Sequence, residues 1–397
     1  MKVIDGGVCA AKGFKAGAIH CGIRKNQSKD DLALIASDTI CTAAAVYTKN
    51  LVKAAPLQVT KEHLSDGLAQ AVIVNSGNAN ACNAKEIENA KKEAGCAAHF
   101  LGISTQNVIV ASTGVIGQEL PIQCIENHVA SITLSKDNNM AAAKAIMTTD
   151  TIEKSVAVEF EINGTTCHLG GICKGSGMIH PNMGTMLAFI STDCKIDQAL
   201  LQKALNTNVK KTFNRVSVDG DTSTNDMCVV LANGHTGEID ESNYTIFEEA
   251  LKYVMEQLAI KIATDGEGAG KLLSVTVKNM DTEANAETLA KSVVCSSLVK
   301  AAMFGCDANW GRVICALGYS GVAFDPNLVD IYFVSNDEIM CCKDGKGLDF
   351  DEDKAKKILE EDQIQIVCDM HAGQEICTCW GCDLTYDYVK INGDYRT

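Results

Sequence analysis

Four prolines in 397 residues leave few points at which a locked φ and a missing N–H would break the backbone. No low-complexity linker and no internal repeat divides the chain either. Apolar runs stop short of the roughly 18–20 residues that a membrane-spanning helix needs. The N-terminal Met-Lys-Val-Ile-Asp-Gly-Gly-Val lacks the unbroken apolar segment of a secretory signal. Cationic residues are in deficit: 35 Lys and Arg face 50 Asp and Glu, a net charge of −15. That balance argues against nucleic acid and anionic membrane as partners, because phosphate binding needs clustered cations. These absences predict a cytoplasmic protein that handles small molecules.

What is present is a chain rich in core-forming residues. Hydrophobic residues make up 46% of it, and its length suits two or three lobes. The 19 cysteines are odd in number, scattered and set mostly in apolar runs such as Gly-Ile-Cys173 and Val-Ile-Cys315. They read as reduced thiols filling core space. Ala71–Val74, Asn107–Ala111, Ser155–Ile162 and Leu272–Val277 are β-rich runs bounded by Gly, Asn or charge, and predict strands. Asn83–Leu101, Asn138–Met147, Ile196–Val209 and Asn243–Ile262 carry apolar residues at helical spacing. The class is α/β, a mixed layered architecture.

The stretch from Lys174 to Leu187, Lys-Gly-Ser-Gly-Met-Ile-His-Pro-Asn-Met-Gly-Thr-Met-Leu, stands out. Thr185 opens an apolar run short enough to be a buried strand. Gly184 before it has no Cβ, so its backbone can take the geometry that attack on its own carbonyl requires. Cleavage between Gly184 and Thr185 would give Thr185 a free amine with a pKa of about 8, suited to act as general base for its own hydroxyl. A Gly-Thr turn entering a strand is the ordinary alternative.

Further residues gather around this idea. Ser112, Thr113 and Gly114 follow a Val-Ile-Val strand and precede Gln118-Glu-Leu-Pro-Ile-Gln, read as helical, so they predict donors at a strand-to-helix turn that can hold an oxyanion. Lys174 offers a point charge for a substrate carboxylate. Its Lys-Gly order breaks the P-loop pattern. Glu267, among glycines after a helix, suits a substrate ammonium. His180 reads as a structural hydrogen-bonder rather than a base. Asp219-Gly-Asp-Thr-Ser-Thr-Asn-Asp226 lacks the calcium-loop spacing and reads as capping and turn residues near the site. Cys377, Cys379 and Cys382, with Cys368 and His371, do not have the paired spacing of a structural zinc site.

Several blocks in order, Ala11–Phe14, Val74–Cys82, Ala111–Gly117, Met147–Thr151, Lys174–Leu187, Val218–Asp226, Asp265–Ala269, Asn309–Arg312 and Lys390–Thr397, resemble the ornithine acetyltransferases, the bifunctional glutamate N-acetyltransferase family of arginine biosynthesis. The resemblance implies an Ntn-hydrolase-like sandwich with a smaller C-terminal lobe from about 280 to 397. It also implies self-cleavage into an α chain, 1–184, and a β chain, 185–397, assembled as two of each. Thr185 is then the nucleophile, and Thr113 and Gly114 form the oxyanion hole. Substrate contacts fall to Thr148, Thr149, Lys174, Thr185, Glu267, Asn392 and Thr397. The implied reaction moves an acetyl group from N2-acetylornithine to glutamate through acetyl-Thr185, with no metal or organic cofactor and with acetyl-CoA left open as a second acetyl donor. Gly184, Gly270 and Gly393 stand where the family usually has Ala, Thr and Ala, and the lost hydroxyl at 270 predicts a looser loop beside Glu267. Two other readings stay open: an N-terminal-threonine aminopeptidase or amidase with water as acceptor, and a non-catalytic cysteine-rich metal-binding protein.

Overall fold

The computed structural model describes residues 1–180 and 186–394. Two large sheets organise them. In the larger, the strands lie in the spatial order Lys2–Ile4, Lys154–Ile162, Thr165–Lys174, Leu187–Thr192, Met227–Ala232, Leu32–Tyr47, Leu68–Asn78 and Val108–Val115, with Phe14–Ile19 also paired to Leu32–Tyr47. Most neighbours are antiparallel. Leu187–Thr192 runs parallel to Met227–Ala232, and Leu68–Asn78 parallel to Val108–Val115.

Alternate residues of these strands enter different cores, as a two-residue period requires. Leu187, Phe189, Val229 and Leu231 share one cluster with Val72, Val74, Ile109 and Ala111. Ala188, Ile190, Cys228 and Val230 turn to a second, against helices Gln198–Lys211 and Tyr244–Thr264. Ala71, Ile73, Val108 and Val110 turn to a third, against helices Ala55–His63, Glu86–Leu101 and Ile122–His128. The first cluster draws on both halves of the sheet, so the sheet folds over into two facing layers with helices outside each. Strands buried on both faces need no polar alternation. This is why the run after Thr185 is continuously apolar and yet a strand.

The second sheet orders Val216–Ser217, Glu375–Cys382, Leu272–Met280, Gln363–Asp369, Asp330–Val334, Glu338–Lys343 and Lys346–Gly347. Helices Glu283–Val294, Ser297–Phe304, Trp310–Gly318 and Glu352–Leu359 pack on one of its faces. Local chemistry marks several helix starts: Asp197 accepts from Ala199 N at 2.8 Å and Asp351 from Lys354 N at 3.0 Å, each satisfying an orphan amide of its first turn. The layered, mixed α/β class is the one expected.

One local expectation fails. Of the stretch 118–123, residues 118–121 are not helical; the helix is Ile122–His128, with Pro121 at its N-cap. Proline disfavours helical backbone in the residue before it, and Asn78 Nδ2 engages the Gln118 and Glu119 carbonyls at 3.2 and 3.3 Å. Ser112–Gly114 likewise sit within a strand, not in a turn, because they pair in register with Asn75–Gly77.

Phe189 is 1% exposed between the two strand layers. Phe189→Ala is expected to cost about 3–5 kcal/mol, read as a lower denaturant midpoint at unchanged m; a midpoint near that of the parent chain contradicts the layer assignment.

Candidate active site

A cavity opens where the two strand layers meet the loop after Tyr244–Thr264 and the C-terminal helix Tyr386–Asp394. Thr113, Gly114, Thr148, Thr149, Lys174, Glu267 and Asn392 all line it, as does Met186, the residue after Thr185. Segments far apart in sequence thus deliver their nominated side chains to one place. Thr185 and Gly184, and Thr397 at the other end, lie outside the described residues. Both Thr148 and Thr149 reach the wall.

A buried ion triad holds these segments together. Lys154 Nζ donates to Asp150 Oδ1 at 2.7 Å and to Asp265 Oδ2 at 2.5 Å, with all three side chains at most 3% exposed. Asp150 also accepts from Gly175 N at 2.7 Å and Thr148 N at 3.1 Å. Asp265 accepts from Thr151 N and from the Thr151 hydroxyl, and its carbonyl accepts from Ser176 Oγ at 2.7 Å. One lysine therefore ties the Thr148–Thr151 loop to the Lys174–Ser176 turn and to the loop that carries Glu267. Burial works to raise the Asp150 pKa, but Lys154 and then Lys174 outweigh it and hold it down at about 2. Burial likewise opposes the Lys154 ammonium, and the two aspartates overcome it.

Lys174 ends its strand opposite Leu187, two residues past Thr185. It is buried, not a solvated surface lysine, and its Nζ donates to Thr113 Oγ1 at 3.1 Å. A hydroxyl has one hydrogen and two acceptor sites. With the ammonium on an acceptor site, the Thr113 hydrogen remains available to the cavity. Burial lowers the Lys174 pKa, partly offset by Asp150. Gly114 beside Thr113 has φ +135, and a Cβ there would lie 2.3 Å from the Gly77 carbonyl carbon. Only glycine permits that approach.

Glu267 lies across the cavity, its Oε2 accepting from Asn392 Nδ2 at 2.8 Å. A Cβ on Gly177 would fall 2.2 Å from the Glu267 carboxyl, so Gly177 makes room for it. Beside Glu267 the backbone at Gly270 is tied down: Asp383 Oδ1 accepts from Gly270 N at 2.8 Å and Lys271 N at 3.0 Å. A Cβ at 270 would meet Asp383 Oδ2 at 3.2 Å.

The 219–226 loop does border the site. Asp219, Asp221, Ser223, Thr224, Asn225 and Asp226 line it. Met178 takes φ +56, a left-handed value rare for its type, and the N–H groups of Met178 and Ile179 converge on Asp219 at 2.6 and 2.9 Å. Asn225 Nδ2 braces the carbonyls of Ala79 and Ser112 at 2.7 and 2.9 Å. Sequence reasoning missed Asp150, Lys154, Asp265 and Tyr388 as site residues. The two aspartates lie inside the Met147–Thr151 and Asp265–Ala269 blocks; for Lys154, at the start of a plain strand, no sequence signal existed. His180 is held by Ser217 Oγ at 3.1 Å, a structural bond as expected. His371 is engaged by Asp330 at 3.0 Å, and the Cys377 region brings no three metal-competent groups together among the described residues.

Because folding favours ionised Asp150, its stabilisation is complete above its ordinary pKa of 3.8 and is lost as pH falls toward about 2. Asp150→Asn is expected to cost about 3–5 kcal/mol at neutral pH, since it leaves a buried ammonium short of a partner. It should also flatten the acid limb of stability against pH in thermal melts. An unaltered acid limb would show that the triad contributes nothing there.

The family model described as ArgJ family matches residues 15–397. The arginine biosynthesis bifunctional protein ArgJ of Caldanaerobacter subterraneus subsp. tengcongensis is 49% identical over 405 aligned positions, covering 100% of both chains. Its counterpart in Symbiobacterium thermophilum is 48% identical with the same coverage. Among solved structures, an arginine biosynthesis bifunctional protein argJ from Bacillus halodurans is 42% identical, covers 52% of this chain and 98% of its own, and superposes with a TM-score of 0.49. With the match running along nearly its whole length, the chain belongs to the ArgJ family.

Proposed function

We propose that this chain cuts itself between Gly184 and Thr185 and then transfers an acetyl group from N2-acetylornithine to glutamate through an ester on Thr185. The observation that carries the reading is the single cavity in which Thr113, Gly114, Lys174, Glu267 and Asn392 converge beside Met186. Family membership supports the acyl-transfer chemistry, and the wall supports the substrate class. Among the described lining residues, Asp219, Asp221 and Glu267 accompany one lysine, Lys174. That surplus of carboxylates favours a substrate with amino groups beyond the reacting one, as ornithine has.

In the first half-reaction the Thr185 amine takes the hydroxyl proton and the oxygen attacks the acetyl carbonyl. The Thr113 hydroxyl and the Gly114 N–H receive the developing oxyanion. The amide C–N bond then breaks, the proton passes to the leaving amine, and ornithine departs. In the second half the glutamate amine attacks the ester and N-acetylglutamate leaves with the Thr185 hydroxyl restored. Thr148, Thr149, Lys174, Glu267, Asn392 and Thr397 orient the amino-acid portions. Acetyl-CoA can load the same ester, which makes glutamate acetylation a second use of one intermediate. Residues 1–184 and 185–397 act as α and β chains, two of each, in the cytoplasm; no helix among the described residues is long and apolar enough to cross a membrane.

Intact mass and N-terminal sequencing are expected to find two fragments, one beginning at Thr185, against a single uncut chain in Thr185→Ala. An uncut parent chain sinks the mechanism. With N2-acetylornithine the parent should yield N-acetylglutamate only when glutamate is present; free acetate in its place would make the chain a hydrolase. Thr113→Val is expected to lower kcat by about 100- to 1,000-fold as one oxyanion donor is lost. Gly177→Ala, by displacing Glu267, should act chiefly on KM for the amino acids.

A further inference from the structure

Away from the cavity, Cys167, Asp193 and Cys194 bring two Sγ atoms and a carboxylate oxygen within 4.8 Å of one another, all three residues being buried. Among the described residues this is the one place where three metal-competent side chains converge. Strand pairing explains it. Thr165–Lys174 and Leu187–Thr192 run antiparallel with Leu169 opposite Thr192, and the same register carried two residues outward sets Cys167 opposite Cys194. Both thiols share a face with Leu169 and Ile190.

Asp193 is held in place by its neighbours. Its Oδ2 accepts from His168 Nδ1 at 2.7 Å and Lys12 N at 3.1 Å, and its Oδ1 from His168 N at 2.7 Å and Thr236 Oγ1 at 2.8 Å. We propose that Cys167, Cys194 and Asp193 bind a tetrahedral zinc ion as its three protein ligands, with water in the fourth position. A tetrahedral zinc with Zn–S of about 2.3 Å and Zn–O of about 2.1 Å sets its ligand atoms about 3.6–3.8 Å apart, so a small inward rotation of the thiols closes the set. Two sulfur donors select zinc over calcium or magnesium, which take oxygen ligands. The His168 ring on Asp193 is the outer bond that orients a ligating carboxylate. The Thr236 hydroxyl on Oδ1 is the contact the ion replaces. Metal binding deprotonates both thiols and staples together the strand that ends at Lys174 and the strand that begins at Leu187.

The full-length reduced chain should keep one equivalent of Zn2+ per chain through desalting. Co2+ used as probe should give a thiolate-to-metal charge-transfer band and the visible bands of a tetrahedral site. Both signals should vanish in Cys167→Ser and in Cys194→Ser and persist in Cys377→Ser. Should the buried substitutions prevent folding, the parent chain decides alone: Zn2+ should slow alkylation of the peptides carrying Cys167 and Cys194 and leave those carrying Cys377 and Cys379 unchanged. Cobalt bands that survive both substitutions, or labelling of the pair indifferent to Zn2+, would overturn the assignment.

Discussion

The site depends on a lysine with no access to water. Lys154 bridges Asp150 and Asp265 at once, and each aspartate spends its remaining acceptor capacity on the backbone of a different loop. An ion pair in such a place gains stability only when every donor and acceptor is satisfied, so the geometry is demanding. That demand is the benefit. Thr148, Gly175 and Thr151 are fixed relative to one another through charge-assisted bonds rather than loose contacts, and the cavity-lining Thr148, Thr149 and Lys174 sit on or beside these same short segments.

From this anchor the rest of the cavity follows by successive contacts. Lys174 leaves the anchored turn and reaches Thr113, joining the Lys174 strand edge to the far layer of the sandwich. Ser176 accepts from Glu267 N at 3.0 Å, and Asn392 of the last helix grips the Glu267 carboxylate. The Thr385 hydroxyl donates to the Gly268 carbonyl at 2.6 Å, which seats that helix on the loop. Rigid first contacts backed by a second set of bonds are what a site needs to hold reacting groups within the narrow tolerance of catalysis. The departures at 270 and 393 fit this picture: Asp383 secures the first through backbone amides, and a side chain at the second would meet nothing.

Much of the fold was legible because its strands and helices obey simple periods. The helices Glu86–Leu101, Gln198–Lys211 and Tyr244–Thr264 lie where apolar spacing put them. The expected helix at Gln118 failed on Pro121, whose restriction on its predecessor outweighed the residue pattern. Ser112, Thr113 and Gly114 were expected in a turn, and a parallel partner strand keeps them in a sheet. Lys154 escaped notice entirely, since a lysine at the start of a strand looks like any solvated one until two carboxylates are brought against it. Cys167 and Cys194 escaped for the same cause, having no motif spacing to join them.

By itself, then, the amino-acid order determined the alternation of apolar residues, the glycines at 114, 177 and 184, and the presence of Thr185 with a small residue before it. These are properties of a residue and its immediate neighbours, where steric freedom and periodicity act. Which charges would be buried together, which carboxylates would share one wall and which cysteines would face each other were decided only by tertiary structure. Coulombic and metal-binding energies depend on distances of a few ångströms, and strand pairing sets those distances between positions that the sequence keeps far apart.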